Sequence, residues 1–175
     1  RFGAKFINGD VEKIEKNNDL FTIVTKKENL EAKTVILAAG AQPRKLGVKG
    51  EREFTGRGVS YCATCDGAFY KDKPIAIVGG GDTAIQEALY LTRFASKVFV
   101  IHRRDQLRAT KVLQERAFNN EKIEFVWNSV VNEIKGQNAV EEVVVENVKT
   151  GKLNSLQVDG IFVAIGHLPN TDFVK

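Results

Sequence analysis

The chain is poor in cysteine, proline and long apolar runs. Of its 175 residues two are cysteine, three are proline, one is tryptophan and none is methionine. No stretch approaches the roughly 18 apolar residues that a membrane-spanning helix needs, so the sequence predicts no membrane segment. We also find no signal peptide, and the chain begins in mid-pattern at Arg1. We therefore expect a cytoplasmic protein.

The charge balance is mild and evenly distributed. The formal net charge is +4, and hydrophobic and charged residues make up 43% and 27% of the chain. These values are typical of a globular domain with a real core. Because the lysines and arginines are spread out rather than clustered along one face, the sequence predicts a solvated surface and no nucleic-acid partner.

Both cysteines lie in one C-x-x-C motif, Cys62 to Cys65, with Asp66 directly after it. A structural zinc site usually needs four ligands, and the two histidines, His102 and His167, lie far along the chain, so we expect no metal. A structural disulfide over so short a loop would constrain little chain. The motif therefore favours a redox pair, while the other two readings stay open.

The order of predicted elements indicates an α/β fold. Residues 5–39 are rich in short strands separated by polar turns at Asn17–Asp19 and Lys26–Asn29. From Lys73 the pattern changes to buried strand, glycine turn, amphipathic helix and second buried strand, which predicts a Rossmann-like, three-layer domain with a parallel sheet and right-handed crossovers. Residues 130–158 alternate and predict an antiparallel ribbon. The other predicted elements are strands at Lys5–Asn8, Val11–Glu15, Leu20–Thr25, Thr34–Ala39, Lys122–Trp127 and Asp159–Ile165, and a helix at Ala109–Asn119.

A glycine turn joins the first buried strand to its helix. Gly79–Ala84 fits G-x-G-x-x-A in the strand–turn–helix context that a dinucleotide site requires. Gly79 permits the tight turn, Gly81 lets the backbone approach a pyrophosphate, and Ala84 allows close helix–strand packing. The helix N-terminus would offer free N–H groups to the phosphates. Because glycine turns join many strands to helices, the motif is informative only in this setting.

The end of the second strand indicates which dinucleotide is bound. An NAD site usually has an acidic residue there, whereas this chain has His102, Arg103 and Arg104, followed by Arg108. Guanidinium groups suit a 2′-phosphate, so we expect NADPH rather than NADH. The alternative interpretations are an exposed basic turn paired with Asp105 and, for His102, an ordinary strand-end histidine.

These motifs together resemble a known family. CATCD, VGGGDTAIQEALYLTRFASKV, IHRRDQLRA and VAIGHLPNT are similar to segments of the low-molecular-weight thioredoxin reductases of bacteria, flavoproteins of the pyridine nucleotide–disulfide oxidoreductase class. The resemblance implies that Cys62 and Cys65 form a disulfide reduced through FAD and then by exchange with thioredoxin. It also implies that Asp66 donates the proton for that step.

The resemblance extends to the cofactor residues. It implies an NADPH pyrophosphate site at the glycine turn, a 2′-phosphate site at the arginines with His102 beside them, contacts to the nicotinamide half, and FAD contacts in an adjoining segment. The residues carried over are Gly79, Gly80, Gly81, Asp82, Thr83 and Ala84 for the pyrophosphate, Arg103, Arg104 and Arg108 for the 2′-phosphate, Ile165, Gly166 and His167 for the nicotinamide half, and Ala39 and Gly40 for FAD.

Family members hold FAD with a G-x-G-x-x-G turn near their N-terminus and a Gly-Asp motif near their C-terminus, and this chain has neither of the two at those places. We therefore expect a central fragment: a partial, β-rich FAD-domain segment at 1–50, the NADPH domain with the CATC motif at 51–166, and the start of a return into the FAD domain at 167–175. Such a fragment should bind flavin poorly and be inactive alone. The family forms homodimers, largely through the FAD domain.

Two alternatives to a thioredoxin reductase remain. One is a related flavoprotein that reduces a peroxiredoxin through an attached thioredoxin-like domain, which would share both motifs. The other is a non-catalytic NADPH-binding module with a merely structural cysteine pair. A yellow, flavin-containing preparation would favour an enzyme, and a colourless one that binds NADPH would favour the module or a bare fragment.

Overall fold

A computed structural model describes residues 3–174. They divide into two compact units, one containing the described residues up to Gln42 and from Leu168 onward, and the other containing Pro43–His167. In the described part of the chain, no helix combines the length and the apolar character that crossing a membrane would require.

The smaller unit is built on a three-stranded antiparallel sheet. Its strands β1 (Val11–Asn17), β2 (Leu20–Thr25) and β3 (Asn29–Ala32) pair in chain order. Asn17 pairs with Leu20, so β1 and β2 are joined by a two-residue turn, in which Asn18 adopts a φ of 54°. Asparagine tolerates this left-handed conformation, which is why a polar Asn-Asn-Asp run can reverse the chain here.

Two strand predictions in this unit are wrong, and one strand was not predicted. Lys5–Asn8 and Thr34–Ala39 are not strands, and β3 begins at Asn29, inside the segment expected to be a turn. A strand forms only when a neighbour satisfies its backbone. Within residues 3–174 neither segment has such a neighbour, and the side chains of Phe6 and Ile36 are 92% and 93% exposed.

The remaining elements follow β3 in chain order. They are β4 (Ala41–Pro43), β5 (Val59–Ser60), α1 (Ala63–Asp66), a 3₁₀ turn (Gly67–Tyr70), β6 (Pro74–Val78), α2 (Asp82–Leu91), β7 (Lys97–Ile101), α3 (Lys111–Phe118), β8 (Ile123–Val126), β9 (Ser129–Gly136), β10 (Val140–Asn147), β11 (Leu153–Gln157), β12 (Gly160–Val163) and β13 (His167–Pro169). The larger unit contains a parallel sheet of five strands in the order β5-β12-β6-β7-β8. Beside it lies an antiparallel sheet in the order β11-β10-β9. The short strands β4 and β13 pair with each other, and the division between the units falls within each of them, after Gln42 and after His167.

Side chains of the central strand β6 point alternately to the two faces of the parallel sheet, and each face is covered by another layer of the larger unit. Ile75 and Ile77 of β6 pack in one core cluster with residues of α2 and α3, whereas Ala76 and Val78 pack in a second cluster with residues of β9 and β10. Successive strand residues point to opposite faces, so a strand buried on both faces reads as a continuous apolar run. The predicted α/β fold with a parallel sheet and an antiparallel ribbon is confirmed.

The strand order determines where a ligand can bind. From β6 the chain moves outward through α2 to β7 and then β8, while β12 returns to the opposite side of β6. The order therefore reverses between β6 and β12. In open parallel sheets, ligands bind at the carboxyl ends of the strands at such a reversal. Gly79 follows β6 at that edge, and Ala164 to Gly166 follow β12.

Candidate functional site

The first glycine of the motif is required by close packing. Gly79 has a φ of 150°, and its N–H donates to the carbonyl of Ile101 at the end of β7. A Cβ at this position would lie 2.5 Å from the carbonyl oxygen of Ala164 and 2.6 Å from the Cβ of Ala84. The turn thus needs glycine at 79 and a small residue at 84, as the motif predicts.

The second and third glycines have different surroundings. A Cβ on Gly80 would lie 2.3 Å from Cε1 and Nδ1 of His102, so this glycine makes room for the histidine ring. A Cβ on Gly81 would meet nothing within 4 Å. Gly81 precedes α2 with φ −92° and ψ −179°, and no side chain caps the helix there. The space at Gly81 and the free helix N–H groups form an open cradle whose chemistry suits an anionic group.

The basic loop after β7 is fixed against this cradle. The N–H groups of Arg108 and Ala109 donate to the carbonyl of Gly80 at 2.7 and 3.1 Å. The N–H of Thr110 donates to Oδ1 of Asp82 at 2.6 Å. The loop that carries the arginines and the glycine turn are therefore parts of one hydrogen-bonded structure.

The arginines of this loop are available for a ligand. Arg103, Arg104 and Arg108 are exposed, and none of them forms a salt bridge within the described residues. Asp105 instead pairs with Lys149, whose Nζ lies 2.8 Å from Oδ2, and this hydrogen bond lowers the pKa of the Asp105 carboxyl. The alternative that Asp105 neutralises the arginines is not supported.

His102 is buried, at 5% exposure, beneath the loop. Its Nε2 lies 3.0 Å from the carbonyl of Gln106, and because a carbonyl only accepts, this nitrogen donates. Burial lowers the pKa of His102, and the charges of Arg104, Arg108 and Arg103 lower it further, against an opposing effect of the Gln106 hydrogen bond. The buried ring of His102 thus packs directly against the glycine turn at Gly80.

These residues line one open cleft with a volume of about 760 Å³. It contains Gly79–Ala84, the three arginines, Ile165 and Gly166. The lining residues that sequence reasoning missed include Arg44, Leu46, Ser129, Val130 and Val131, which lie outside the predicted motifs. Arg44 is held there because its N–H donates to the carbonyl of Gly166 at 2.9 Å. No motif marks these residues, since they enter the cleft through backbone bonding and strand pairing.

Cys62 and Cys65 form a disulfide with their Cα atoms 5.3 Å apart. Cys62 is the N-cap of α1, and its Sγ accepts a hydrogen bond of 3.2 Å from the N–H of Cys65. Cys65 is exposed and Cys62 is partly exposed. The disulfide is therefore within reach of another protein's thiols, and the one-turn helix presents an N–H group to sulfur.

Asp66 closes the same turn. Its Oδ2 accepts a hydrogen bond of 2.6 Å from the hydroxyl of Ser60, and its N–H donates to the carbonyl of Cys62 at 3.2 Å. Ser60 is buried and accepts from the N–H of Cys62 at 3.1 Å. The partly exposed carboxylate of Asp66 is thus held beside the cysteines by a serine that contacts both residues.

The other predicted site residues lie elsewhere. Ala39 and Gly40 belong to the smaller unit, where the N–H and the side chain of Asn170 donate to the carbonyls of Gly40 and Ala39 at 3.0 and 3.1 Å. The described residues that line the cleft do not include either cysteine or Asp66. Within residues 3–174 no group of three or more His, Cys, Asp or Glu side chains is arranged to hold a metal ion.

Comparison with known proteins identifies relatives that match nearly the whole of this chain. A family model described as pyridine nucleotide-disulphide oxidoreductase matches residues 2–175. Thioredoxin reductase from Streptomyces coelicolor is 49% identical over 176 residues, covering 100% of this chain and 55% of that protein. Thioredoxin reductase from Bacillus subtilis is 48% identical over 97% of this chain and 54% of its own length. The chain spans about half the length of these curated relatives.

Solved structures of thioredoxin reductases have a fold similar to that of this chain. The crystal structure of Lactococcus lactis thioredoxin reductase in its FR conformation superposes with a TM-score of 0.84 at 48% identity, covering 94% of this chain and 55% of that one. Thioredoxin reductase from Giardia duodenalis superposes with a TM-score of 0.87 at 40% identity, covering 99% of this chain and 57% of that one.

Proposed function

Because the chain belongs to the pyridine nucleotide-disulphide oxidoreductase family, we propose that Pro43–His167 is the NADPH-binding and disulfide-carrying part of a thioredoxin reductase. In this proposal two electrons pass from NADPH through FAD to the Cys62–Cys65 disulfide, and then to the disulfide of thioredoxin. Similarity to curated thioredoxin reductases over nearly the whole chain supports it.

The cleft fits the pyrophosphate of a dinucleotide. Gly81 leaves open the space that a side chain would fill, and the free N–H groups of α2 face an anion favourably. Ile165 and Gly166, at the end of β12, lie on the side of the cleft that we assign to the nicotinamide half. Val130 and Val131 provide apolar lining for the same cleft.

The basic loop fits a 2′-phosphate. Arg103, Arg104 and Arg108 are exposed beside the cradle, and no acidic residue stands at the end of β7 to accept a ribose 2′-hydroxyl. Guanidinium groups form paired, charge-assisted hydrogen bonds with phosphate oxygens. We therefore assign NADPH as the preferred cofactor, with His102 holding the turn rather than the phosphate.

The disulfide is suited to exchange with a protein partner. Two electrons and two protons convert the Cys62–Cys65 bond into two thiols. One thiolate then attacks the disulfide of thioredoxin and forms a mixed disulfide, which the other cysteine resolves, restoring the original bond and releasing reduced thioredoxin. The exposure of Cys65 and the N–H bonded to Cys62 Sγ both favour this exchange.

We assign Asp66 as the group that delivers a proton to the dithiol. It follows Cys65 directly, and the Ser60 hydroxyl holds its carboxylate at 2.6 Å. A carboxyl group positioned next to a leaving thiolate can act as a general acid. Ser60 also accepts from Cys62, so proton donor and sulfur are attached to one anchor.

We assign the smaller unit to an FAD domain, with 1–42 and 168–175 as its segments and Pro43–His167 as the NADPH domain, in place of the divisions at 50 and 166 expected from the sequence. Ala39 and Gly40 are the proposed FAD contacts. The chemistry that FAD supplies when bound is two-electron transfer between nicotinamide and disulfide. The apolar side chains of Phe6, Ile36 and Leu37 are exposed. We propose that they pack against the rest of such a domain. A homodimer and a cytoplasmic location belong to the same proposal.

The single observation that carries the proposal is the assembly of the glycine turn and the three arginines around one cleft, in a unit that also holds the disulfide. Titration calorimetry with NADPH tests the cleft directly. We expect one binding site per chain. The redox role is tested in the longer protein supplied with FAD, where thioredoxin reduction should require both Cys62 and Cys65.

Two results would contradict this function. A chain that binds no NADPH would remove the cofactor assignment. A flavin-loaded protein that oxidises NADPH but keeps full activity toward thioredoxin when Cys62 and Cys65 are both changed to serine would remove the disulfide from the pathway. That result would instead favour the non-catalytic reading of the cysteine pair.

A further inference from the structure

A buried carboxylate outside the cleft has no role in the proposed reaction. Glu51 is 4% exposed, and it forms no salt bridge within residues 3–174. Burying a carboxylate without a cation is costly unless its oxygens are fully hydrogen-bonded. Its Oε1 accepts from the N–H of Leu46 at 2.8 Å and the hydroxyl of Tyr61 at 2.9 Å, and its Oε2 accepts from the N–H of Gly47 at 2.7 Å.

The three donors come from two segments that carry the chemistry. Leu46 lines the nucleotide cleft, as does Arg44, whose N–H bonds to Gly166. Tyr61 immediately precedes Cys62 of the disulfide. One carboxyl group therefore bonds both to the cleft wall at 44–47 and to the cysteine segment at 60–65.

No other acceptor holds these donors in the described structure. The backbone bonds at the far end of the loop are formed by Lys49, whose carbonyl accepts from Ile134, while the N–H groups of Leu46 and Gly47 bond only to Glu51. Gly47 has a φ of 76°, so the chain turns sharply at this point. The position of the cleft wall thus depends on Glu51.

The tyrosine remains a donor. Burial raises the pKa of Tyr61, and the hydrogen bond to Glu51 raises it further. Lys45 Nζ lies 3.8 Å from the centre of the Tyr61 ring, which adds a cation–π contact between the same two segments. The phenol therefore donates its hydrogen bond to Glu51 at neutral pH.

We propose that Glu51 is a positioning residue that fixes the Arg44–Gly47 wall of the nucleotide cleft and, through Tyr61, couples this wall to the segment that carries the disulfide. The inference rests on the proposed function, because it assigns NADPH to the cleft. Both carboxylate oxygens are needed as acceptors. A glutamine at this position would turn an N–H₂ group toward one of the donors and leave the other groups incompletely bonded.

Coupling of this kind is reciprocal. If Glu51 joins the two segments, NADPH bound in the cleft should slow backbone hydrogen exchange at 60–65 as well as at 44–47. The exchange of buried, hydrogen-bonded amides reports local opening, so it measures each segment separately.

The experiment compares the unmutated chain with E51Q, Y61F and the control E124Q, whose carboxylate pairs with Lys97 at the outer sheet edge. Hydrogen exchange followed by mass spectrometry gives the protection of 44–47 and 60–65, and calorimetry gives NADPH affinity. For E51Q we expect about tenfold faster exchange in both segments and about tenfold weaker NADPH binding. E124Q should match the unmutated chain.

Y61F tests whether Tyr61 couples the segments at 44–47 and 60–65, apart from any effect on the stability of the whole chain. It also provides the test if E51Q does not fold. It removes one bond from the carboxylate and leaves Leu46 and Gly47 bonded. We expect NADPH affinity within about threefold of the unmutated chain, because the wall keeps its acceptor. NADPH should, however, no longer slow exchange at 60–65.

Three results would overturn the inference: equal loosening of α2 and β9 in E51Q, unchanged NADPH affinity in folded E51Q, or NADPH protection of 60–65 that persists in Y61F. Failure of the unmutated chain to bind NADPH would instead count against the proposed function. In that case, exchange at 44–47 and 60–65 in E51Q without ligand still decides whether Glu51 joins the two segments.

Discussion

The carboxylate of Asp82, the first residue of α2, accepts a hydrogen bond of 2.6 Å from the N–H of Thr110, the N-cap of α3. This bond connects the glycine turn to the basic loop across 28 residues of sequence. It also explains how an acidic residue can stand in the proposed pyrophosphate cradle, because the carboxylate is directed to a backbone donor. In the proposed site we therefore assign Asp82 to holding the loop rather than to contacting the phosphates.

Asparagine at position 82 should preserve this role and remove a charge that repels phosphate. For D82N we expect NADPH affinity equal to or a few times tighter than that of the unmutated chain. For D82A we expect about fivefold weaker binding, because a net hydrogen bond of about 1 kcal/mol is lost. Titration calorimetry measures both, and equal affinities of D82A and D82N would show that the Thr110 bond does not position the loop.

The three arginines should determine the choice of cofactor. In R103A or R104A we expect about 10- to 100-fold weaker NADPH binding with little change for NADH, since a hydrogen bond to a charged group is worth about 1.5–3 kcal/mol. R93A is the matched control, because Arg93 is exposed near the end of α2 and outside the cleft. Equal affinity of the unmutated chain for NADPH and NADH would contradict the 2′-phosphate assignment.

Elements with local sequence signals were predictable. The strand–turn–helix unit at Pro74–Leu91, with its glycines, and the strand and basic loop that follow were predicted from periodicity and turn chemistry alone. The helix expected at Ala109–Asn119 is present as Lys111–Phe118, and the strand expected at Lys122–Trp127 is present as Ile123–Val126. These segments form because their own apolar pattern packs into the core cluster that the sheet shares with α2 and α3.

Features that depend on distant partners were not predictable. The apolar run at Thr34–Ala39 has a strand-like sequence, but a strand needs a paired neighbour, and Ile36 is 93% exposed. Arg44 and Leu46 are held in the cleft because their N–H groups donate to the Gly166 carbonyl and the Glu51 carboxylate, and these bonds leave no mark in the sequence. The short β5 and the one-turn α1 are too brief to show a period.

Alanine substitutions at adjacent glycines should give opposite results. G81A adds a methyl group to open space at an ordinary φ, so the folded chain should keep its stability while NADPH binding falls at least about tenfold by exclusion of the pyrophosphate. G80A drives a methyl group into the ring of His102, 2.3 Å away, and should reduce stability by about 1–3 kcal/mol. Denaturant unfolding and calorimetry together test the pair, and tight NADPH binding by G81A would contradict the cradle.

His102 should make stability depend on pH. Its pKa in the folded chain is lowered from the ordinary 6.5, mainly by burial, so the unfolded chain takes up a proton at a higher pH than the folded chain does. The contribution of His102 is therefore complete above about pH 6.5, and it is lost progressively as the pH falls from there toward the folded-state pKa. Unfolding free energies measured at pH values from 7.5 to 5 should show this loss.

The other histidine supplies the control for this prediction. His167 is exposed, and it is the only other histidine in the chain. H102Q should reduce the slope of stability against pH between 6.5 and 5, whatever its effect on absolute stability, and H167Q should leave the slope unchanged. A slope that survives in H102Q would show that other groups cause it.

The cysteine pair should behave as one two-electron unit. Mass spectrometry of the oxidised chain should show a single Cys62–Cys65 disulfide, and mild reduction should release two alkylation sites together. Because the Cys65 N–H bonds to Cys62 Sγ, a thiolate at Cys62 is stabilised, so Cys62 should be alkylated faster than Cys65 at neutral pH.

D66N should leave the disulfide intact, since the amide oxygen of the new side chain can still accept from Ser60. In an FAD-loaded protein that contains this chain, D66N should slow thioredoxin reduction by about 10- to 100-fold while NADPH affinity stays constant, because general acid catalysis contributes rate and not cofactor binding. S60A, which removes the anchor but keeps the carboxylate, should give a smaller loss. If D66N weakens NADPH binding and leaves the rate of disulfide reduction unchanged, Asp66 is not the proton donor.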